Sequence, residues 1–497
     1  MLCGRWQFSL LLAVLCACGD DTGAASEVEG TTGFVSSGTA GSGSGSGSST
    51  DAGTTSSDDG SSSGLSSGTA ADESSGGEST GGEPPAAYEP IRYPAGRVHS
   101  PVTAYVADQW RAYAEASVEP FEDVFFKAGA SSTVSQNTLF CFETDESTDL
   151  GRHDGLAPAL AYFRGGDAGG TSPFGRSSLA AESGRSAAWV VDGAPSPFEQ
   201  EWAALAPRFG LLHYGTNDMN LGATYGSAAV PFHDAMMELI DEALSRGTVP
   251  VLFGITRRGD SPAADLWVES YNAMIRGMAQ SRQLPFIDLY EAIDPLPEHG
   301  LRGDGLHLRA FGDGACRLTD EGLMWGYNMR NLVALESLDR AMAVVVDDAE
   351  QLDEDAPLFV GDGTPADPLR IDDFPFAHAG DTSRSGTQAI DAYPPCDDAD
   401  ESGPEVRYRV ELAAPTALRV MVLDRPEVDV DIHIVEADGD GESCVARGDR
   451  RIEGELPAGV WDIVVDTWSD GGDTYVGEYL LVVLPCQPAD EACAGAL

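Results

Sequence analysis

Residues 121–133 read Phe-Glu-Asp-Val-Phe-Phe-Lys-Ala-Gly-Ala-Ser-Ser-Thr, an apolar run that ends in a glycine and a cluster of hydroxyl side chains. A short apolar run bounded by such residues is typical of a strand buried inside a parallel sheet. The small residue Gly129 permits a sharp turn, which presents the Ser131 hydroxyl at the strand end. The stretch therefore indicates a fold class and a candidate nucleophile together.

Further apolar runs alternate with helical patterns along the next two hundred residues. Buried strands are predicted at residues 209–214, 249–255 and 285–289. Helices are predicted up to Gly247, over residues 265–282 and after Thr319. This alternation predicts an α/β domain over residues 97–345, with a parallel sheet covered on both faces by helices. In such sheets the chemistry gathers at the carboxyl ends of the strands.

The C-terminal part follows a different pattern, in which apolar and polar residues alternate. The alternation covers residues 407–422, 428–435, 461–465 and 479–483. It predicts an all-β sandwich over residues 396–497, preceded by an acidic, Pro-rich linker over 346–395. Asp424, Asp429 and Asp431 are interpreted as exposed strand carboxylates rather than as calcium ligands.

The N-terminus resembles a bacterial lipoprotein signal. Residues 1–17 hold a basic residue and a short apolar run, and Ala17 precedes Cys18 as a small residue precedes the lipidated cysteine of a lipobox. Cys16 fits less well, because Leu15 stands before it, and a plain secretory signal is the alternative. The resemblance implies a lipid anchor at Cys18 in the bacterial cell envelope, at the outer membrane or the cell surface; otherwise the chain is periplasmic or secreted.

Residues 18–86 are dominated by Ser, Gly, Thr, Asp and Glu, and this composition predicts a disordered tether. The whole chain carries 81 acidic against 29 basic residues, a formal net charge of -52. Such a surface repels nucleic acid and anionic lipid, so we expect neither as a partner beyond the N-terminal anchor.

Six cysteines remain after the signal and Cys18, an even number that suggests disulfides in an exported chain. The predicted domain division favours a Cys141–Cys316 pair. The other four are Cys396, Cys444, Cys486 and Cys493, and their pairing stays open. Among the nine cysteines no pair or cluster has the spacing of a zinc site, so no metal is expected.

Ester hydrolysis needs a nucleophile, a base, a group that orients the base, and donors for the oxyanion. His307 lies in Gly-Asp-Gly-Leu-His, where Asp304 can accept a hydrogen bond from its ring. His299 is the second candidate base. Asn217, in the Gly-Thr-Asn-Asp that follows a predicted strand, offers an amide to the oxyanion, and Gly184 offers a backbone N–H.

These residues occur in the order of the four sequence blocks of the SGNH, or GDSL, hydrolases, which the chain resembles over residues 97–345. The family's blocks are a Gly-Asp-Ser, a Gly, a Gly-x-Asn-Asp and an Asp-x-x-His. Here Gly-Thr-Asn-Asp and Asp-Gly-Leu-His fit, whereas Ala130 replaces the Asp of the first block. The α/β-hydrolase signature GxSxG matches only at residues 60–64 and 64–68, inside the predicted tether.

The resemblance implies a three-layer α/β/α, flavodoxin-like fold and cleavage of acyl or acetyl esters of a polysaccharide or lipid through an acyl-enzyme. Ser131 would attack the ester carbonyl carbon, His307 would accept and return the proton, and Asp304 would orient the His307 ring. Ser131, Gly184 and Asn217 would hold the oxyanion, with no metal or organic cofactor. The alternative, prompted by Ala130, is an inactive surface lipoprotein that acts as a binding module. The C-terminal sandwich resembles the bacterial pre-peptidase C-terminal domain, as a surface-binding or stabilising accessory.

Overall fold

The computed structural model of the protein describes residues 89–397, 399–470 and 472–497. The predicted signal segment 1–17, the anchor Cys18 and the predicted tether over 18–86 lie outside the described residues. Within the described residues no helix is both long and apolar enough to span a bilayer.

The first part of the described chain is an α/β domain built on a four-stranded parallel sheet. Its strands stand in the order β1-β2-β3-β4. They are β1 (Phe121–Gly129), β2 (Pro207–His213), β3 (Val249–Phe253) and β4 (Phe286–Ile287). Every residue of β2 and β3 is buried, because helices cover both faces of the sheet. The predicted α/β fold with a parallel sheet is confirmed.

Helices form the two outer layers of this domain. They are α1 (Ala104–Glu115), α2 (Ser131–Val134), α3 (Ala157–Gly165), α4 (Ala187–Val191), α5 (Pro197–Leu205), α6 (Ala229–Ser245), α7 (Pro262–Asp265), α8 (Val268–Ser281), α9 (Leu289–Ile293) and α10 (Gly326–Val345). Helices α1, α3 and α10 pack together, and α4, α5, α6 and α8 pack on the other side of the sheet. The three-layer α/β/α arrangement follows from these contacts.

Two sheets form the C-terminal β-sandwich. One has the order β10-β9-β12-β7-β5 and the other β11-β8-β15-β6, while β13 and β14 form a small hairpin. The strands are β5 (Leu369–Ile371), β6 (Phe376–Asp381), β7 (Val406–Leu412), β8 (Thr416–Asp424), β9 (Val430–Glu436), β10 (Cys444–Gly448), β11 (Arg451–Leu456), β12 (Gly459–Thr467), β13 (Ser469–Asp470), β14 (Asp473–Thr474) and β15 (Glu478–Pro485). The predicted C-terminal sandwich is confirmed.

The segment 346–395 differs from the linker that the sequence predicts, because it supplies β5 and β6 to the two sheets. Strand β5 pairs with β7, and β6 pairs with β15. Strand β5 has three residues, too few for an alternation to be recognised among acidic and Pro-rich neighbours. Asp424 and Asp431, interpreted above as exposed carboxylates, are 4% and 3% exposed.

The sandwich and the α/β domain share one hydrophobic core. Residues on the outward face of β8 and β15, among them Met421, Leu423 and Leu480, belong to the same buried cluster as the α/β domain. Helix α8 lies against this face, where Gln280 Nε2 donates to the Ala377 carbonyl at 2.8 Å. Arg419 stacks 3.6 Å from the ring centre of Trp267.

The described part of the chain contains three disulfides, which confirms the prediction that the chain carries them. Cys141 pairs with Cys316, the pair favoured by the sequence. The pairing left open resolves into Cys396–Cys444 and Cys486–Cys493. The first of the three closes the longest loop, 175 residues, and therefore constrains the unfolded chain most.

Leu480→Ala tests the shared core. Leu480 is 2% exposed, and its truncation leaves a cavity against α8, so we expect the free energy of unfolding to fall by about 3 kcal/mol. Urea unfolding followed by far- and near-ultraviolet circular dichroism measures the change. We expect one cooperative transition in the wild type and in the variant. Two separated wild-type transitions would contradict a shared core.

Candidate active site

The turn after β1 places Ser131 at the carboxyl edge of the sheet. Gly129 is paired in register with His213, the last residue of β2, so both strands end side by side. A Cβ on Gly129 would lie 2.7 Å from the His213 carbonyl oxygen and would also overlap the Thr133 hydroxyl. Only glycine fits this close approach, after which Ser131 begins the short helix α2.

His307 lies beside Ser131, although 176 positions separate them in the chain. The His307 Nε2 atom is 3.1 Å from Ser131 Oγ, and its Nδ1 atom is 3.1 Å from Asp304 Oδ2. Ring nitrogens at this spacing can donate to the carboxylate on one side and accept the hydroxyl proton on the other. The structure thus brings together the serine, histidine and aspartate that the sequence singled out.

A tight turn holds Asp304 in position. Its Oδ1 atom accepts the backbone N–H groups of Leu306, at 3.0 Å, and of His307, at 2.9 Å. Burial opposes ionisation of this carboxyl, but the backbone hydrogen bonds and the His307 ring outweigh it and lower the pKa of Asp304 to about 2. Gly305 adopts φ +70°, where a Cβ would meet the Gly259 backbone at 2.6 Å.

Two of the three predicted oxyanion donors, Asn217 and Gly184, differ in their position relative to the cleft. Asn217 lines the cleft, and its side-chain nitrogen donates to the Arg185 carbonyl at 2.9 Å. An amide nitrogen carries two hydrogens, so one remains for a substrate oxygen. Gly184 precedes Arg185 and is exposed; among the described residues Arg185, rather than Gly184, lines the cleft.

Asp218 holds the Asn217 loop. It is 2% exposed and accepts the N–H groups of Ala187, at 2.7 Å, and of Gly215, at 2.9 Å. Burial raises the pKa of Asp218 to about 6, against the effect of these hydrogen bonds. Asp218 was not predicted as a functional residue. The signal in the sequence that could have identified it is its position as the last residue of the motif Gly-Thr-Asn-Asp.

Arg258 and Asp260 connect the loops around the cleft, and neither residue was predicted from the sequence to belong to the site. Arg258 is 4% exposed and donates to the Thr216 carbonyl at 3.0 Å. The Asp260 carboxylate accepts from Arg258 at 2.8 Å, while its N–H donates to the Gly305 carbonyl at 3.1 Å. The loop after β3 therefore supports the Asn217 turn and the Asp304 turn together. A charged pair in a loop gives no sign of this in the sequence.

A buried histidine lines the cleft, and a buried arginine contacts that histidine. His213, assigned to packing by the sequence, lines the cleft, and its Nδ1 atom is 3.5 Å from Arg330 Nη2. Burial, and then the charge of Arg330, lower the pKa of His213 to about 3, so this ring is neutral. Arg330 comes from α10 and also reaches the Thr133 hydroxyl at 3.5 Å.

His299, the second candidate base, is placed elsewhere. Its Nδ1 atom is 2.9 Å from the Asp294 carbonyl oxygen, and the residue is exposed. It is not among the described residues that line the Ser131 cleft. The geometry therefore places His307, and not His299, next to the serine.

The cleft above Ser131 is narrow and open to solvent, with about 30 Å³ of free space. It is lined by Ala130, Ser131, Ser132, Arg185, His213, Tyr214, Gly215, Thr216, Asn217, Asp218, Thr256, Leu306 and His307. A larger cavity of about 590 Å³ lies between the sandwich and helices α6 and α8, and its walls include none of Ser131, Asp304 and His307.

Residues 164–315 match the model of the GDSL-like lipase/acylhydrolase family. The matched range contains Asn217, Asp304 and His307 and begins after Ser131. The match confirms the prediction of an SGNH-type ester hydrolase domain. No curated protein matches the chain significantly.

Parts of this chain are also similar to solved structures of esterases and lipases. A GDSL-like lipase from Bacteroides thetaiotaomicron is 16% identical, with 47% of this chain and 98% of that chain covered and a TM-score of 0.30. A two-domain esterase active on acetylated mannans is 14% identical, with 79% and 98% covered and a TM-score of 0.29. An acetylxylan esterase from Geobacillus stearothermophilus is 12% identical, with 45% and 96% covered and a TM-score of 0.29. Because these TM-scores lie below 0.5, no conclusion about substrate follows from them.

Gly129→Ala tests the turn that presents Ser131. The added methyl group overlaps the His213 carbonyl, so we expect the serine to move from the His307 ring and ester hydrolysis to fall about 100-fold. The measurement is kcat/KM on p-nitrophenyl acetate. Gly155→Ala is the matched control, since a Cβ at Gly155 meets nothing within 4 Å and the backbone there has no positive φ. Full activity of Gly129→Ala would contradict the role of the close approach.

Proposed function

We propose that the α/β domain is a serine esterase that cleaves carboxylic esters through an acyl-enzyme, with Ser131 as nucleophile. The observation that carries this proposal is the contact of 3.1 Å between Ser131 Oγ and His307 Nε2. Asp304 supports it from the other side of the ring, since its carboxylate fixes the tautomer in which Nε2 is free to accept a proton.

The reaction runs in two halves. The Ser131 oxygen bonds to the ester carbonyl carbon while its proton passes to His307 Nε2. The tetrahedral intermediate expels the alcohol, which takes that proton and leaves the acyl group on the serine. Water then attacks the acyl-enzyme, with His307 again accepting and returning a proton, and the carboxylic acid departs.

Asn217 is the side chain that we assign to the oxyanion, together with the backbone N–H group of Ser131 and without Gly184, which is not among the described residues that line the cleft. The Asn217 amide can donate its second hydrogen to the oxyanion while it keeps the hydrogen bond to the Arg185 carbonyl, or it can exchange that hydrogen bond for one to the oxyanion. Ala130, which stands where the resembled family carries an aspartate, leaves the contact between Ser131 and His307 intact. This supports an active enzyme rather than an inactive binding module.

The substrate is proposed to carry a small acyl group, with acetyl the best fit. The cleft above Ser131 offers only about 30 Å³ of free space, which favours a small acyl group over a long alkyl chain. Because the cleft is open to solvent, the alcohol part can be large. We therefore infer an acetyl or similar short ester on a polysaccharide or a lipid.

The location rests on the sequence alone. We propose that the chain is exported and held at the bacterial cell envelope by a lipid on Cys18, with residues 19–86 as the spacer. A spacer of this length would hold the folded part of this acidic chain, of formal net charge -52 overall, away from anionic headgroups.

Ser131→Ala tests the nucleophile. Loss of the hydroxyl removes the acyl-enzyme route, so we expect kcat on p-nitrophenyl acetate to fall by about 10³-fold or more. Ser135→Ala, four residues further on and outside the cleft, is the matched control and keeps wild-type activity. The wild type should also prefer the acetate to the decanoate ester. Equal inactivity of all three proteins across short esters would favour a binding module.

The pH profile tests the base. Protonation of the His307 ring removes the acceptor for the serine proton, so we expect kcat/KM to approach a tenfold loss per pH unit on the acid side. Asp304 contributes no loss above pH 3, because its pKa is lowered to about 2 and the carboxylate stays ionised. Burial raises the pKa of Asp218 to about 6, so protonation of this carboxylate below that pH steepens the limb. A flat profile from pH 8 to pH 5 would contradict the role of His307.

A further inference from the structure

A group of charged side chains is buried in the sandwich. Asp431 and His433 lie two residues apart on β9 and therefore on the same face of the sheet. Ile432 and Ile434, between and beyond them, face the sandwich core. Glu401 approaches from the segment 385–405. We call Glu401, Asp431 and His433 the β9 cluster.

The segment 385–405 covers this cluster. The Tyr393 ring stacks on the His433 ring, with centres 3.5 Å apart and planes 7° apart. The disulfide Cys396–Cys444 ties the segment to β10. The Gly403 N–H donates to the Thr467 carbonyl at 3.2 Å. As a result Glu401 is 1% exposed and His433 is 0% exposed.

Two members of the cluster, Glu401 and His433, lack hydrogen-bond partners for their side chains. Among the described residues, none contacts either oxygen of Glu401 or either ring nitrogen of His433 in a hydrogen bond. His433 Nε2 lies 3.8 Å from Glu401 Oε1. Polar groups buried without partners are rare and costly in folded proteins, so this pair points to a ligand between them.

The charges are unbalanced in the same place. Asp431 has Arg447 as its partner, at 2.5 Å, and the buried Asp466 accepts the Tyr393 hydroxyl at 2.7 Å. Glu401 has no cation of its own among the described residues within ion-pair distance except the His433 ring. One ligand atom from each member of the β9 cluster lies within 4.8 Å of the others. Two carboxylates and an imidazole at this spacing would attract a cation.

A second group of possible metal ligands differs from the β9 cluster because its charges are already paired. Glu453, Asp490 and Cys493 also approach one another. There, however, the guanidinium of Arg419 pairs with both carboxylates, and Cys493 is bound in a disulfide. That group is already neutralised and needs no ion.

We propose that Glu401, Asp431 and His433 bind a divalent transition-metal ion of the zinc class, which fastens the segment 385–405 to the sandwich. Ca²⁺ and Mg²⁺ prefer shells made of oxygen, whereas an imidazole with carboxylates suits Zn²⁺ and its neighbours. The expectation from sequence that no metal is bound came from the cysteine spacings. It overlooked a site assembled from β9 and a segment thirty residues upstream.

The competing state is a proton shared between Glu401 and Asp431, with no metal. Glu401→Gln separates the two states, because the amide keeps the shape of the side chain and removes its charge. If a metal is bound, the variant loses a ligand. If a proton is shared, the variant loses only a repulsion between carboxylates, and its stability stays equal or rises.

The experiment measures Zn²⁺ bound to the purified chain after gel filtration, together with the midpoint of thermal unfolding with Zn²⁺, with Ca²⁺ and with chelator. We expect one equivalent of Zn²⁺, a midpoint raised by Zn²⁺ and lowered by chelator, and no shift with Ca²⁺. Glu401→Gln should bind at least tenfold more weakly. Glu411→Gln, an exposed carboxylate on β7, is the control and should bind as the wild type does.

Three results would overturn the proposal. They are wild-type protein without bound Zn²⁺, a shift with Ca²⁺ but not Zn²⁺, and equal binding by both variants, which would place the metal elsewhere. Should Glu401→Gln fail to fold, the chelator and Zn²⁺ shifts of the wild type decide alone. Hydrolysis of p-nitrophenyl acetate by Ser131 is a separate measurement. A failure of the esterase proposal would therefore not contradict the metal site.

Discussion

The candidate site depends on the register between the two strands β1 and β2, which end level with each other. Gly129 and His213 are paired at the ends of these strands, and the close approach of their backbones admits no side chain at position 129. Ser131 follows one strand and Asn217 the other, so both reach the same edge of the sheet. The Asp304–His307 turn then meets them, because the loop after β3 braces it through Asp260. Three loops distant in the chain become one site through backbone geometry.

The second constraint is the core shared by the two domains. Helix α8 is buried on nearly all sides, because β6 and β15 cover the face that the α/β sheet leaves open. Polar residues of α8 form hydrogen bonds across this interface. Arg276 donates to the Pro375 carbonyl at 2.9 Å, and the Ser270 hydroxyl accepts from Arg419 at 2.9 Å. The sandwich thus completes the packing of the α/β domain, which is a structural role independent of any ligand.

The strands and helices of the α/β domain were predictable, since the runs around residues 125, 211 and 251 are apolar on both faces, as the central strands of a parallel sheet must be. Ser131 and Asn217 were predictable because each follows a strand end, and Asp304 and His307 because their spacing allows a hydrogen bond between them. Strands β5 and β6 were not, since they are short and stand among acidic residues. The burial of Asp431 was also missed: alternation shows which residues share a face, but the segment that covers the outer face comes from elsewhere in the chain. Arg258 and Arg330 act through contacts that no local pattern records.

The central claim is that one serine, held by this register, becomes acylated. Treatment with diethyl p-nitrophenyl phosphate, which traps the nucleophile of a serine hydrolase, tests it most directly when the modified residue is identified by peptide mass spectrometry. The account predicts release of one equivalent of p-nitrophenol and a single diethylphosphoryl group on Ser131, with slower modification when the base is protonated. An adduct on another residue, or none from a protein that hydrolyses esters, would contradict it.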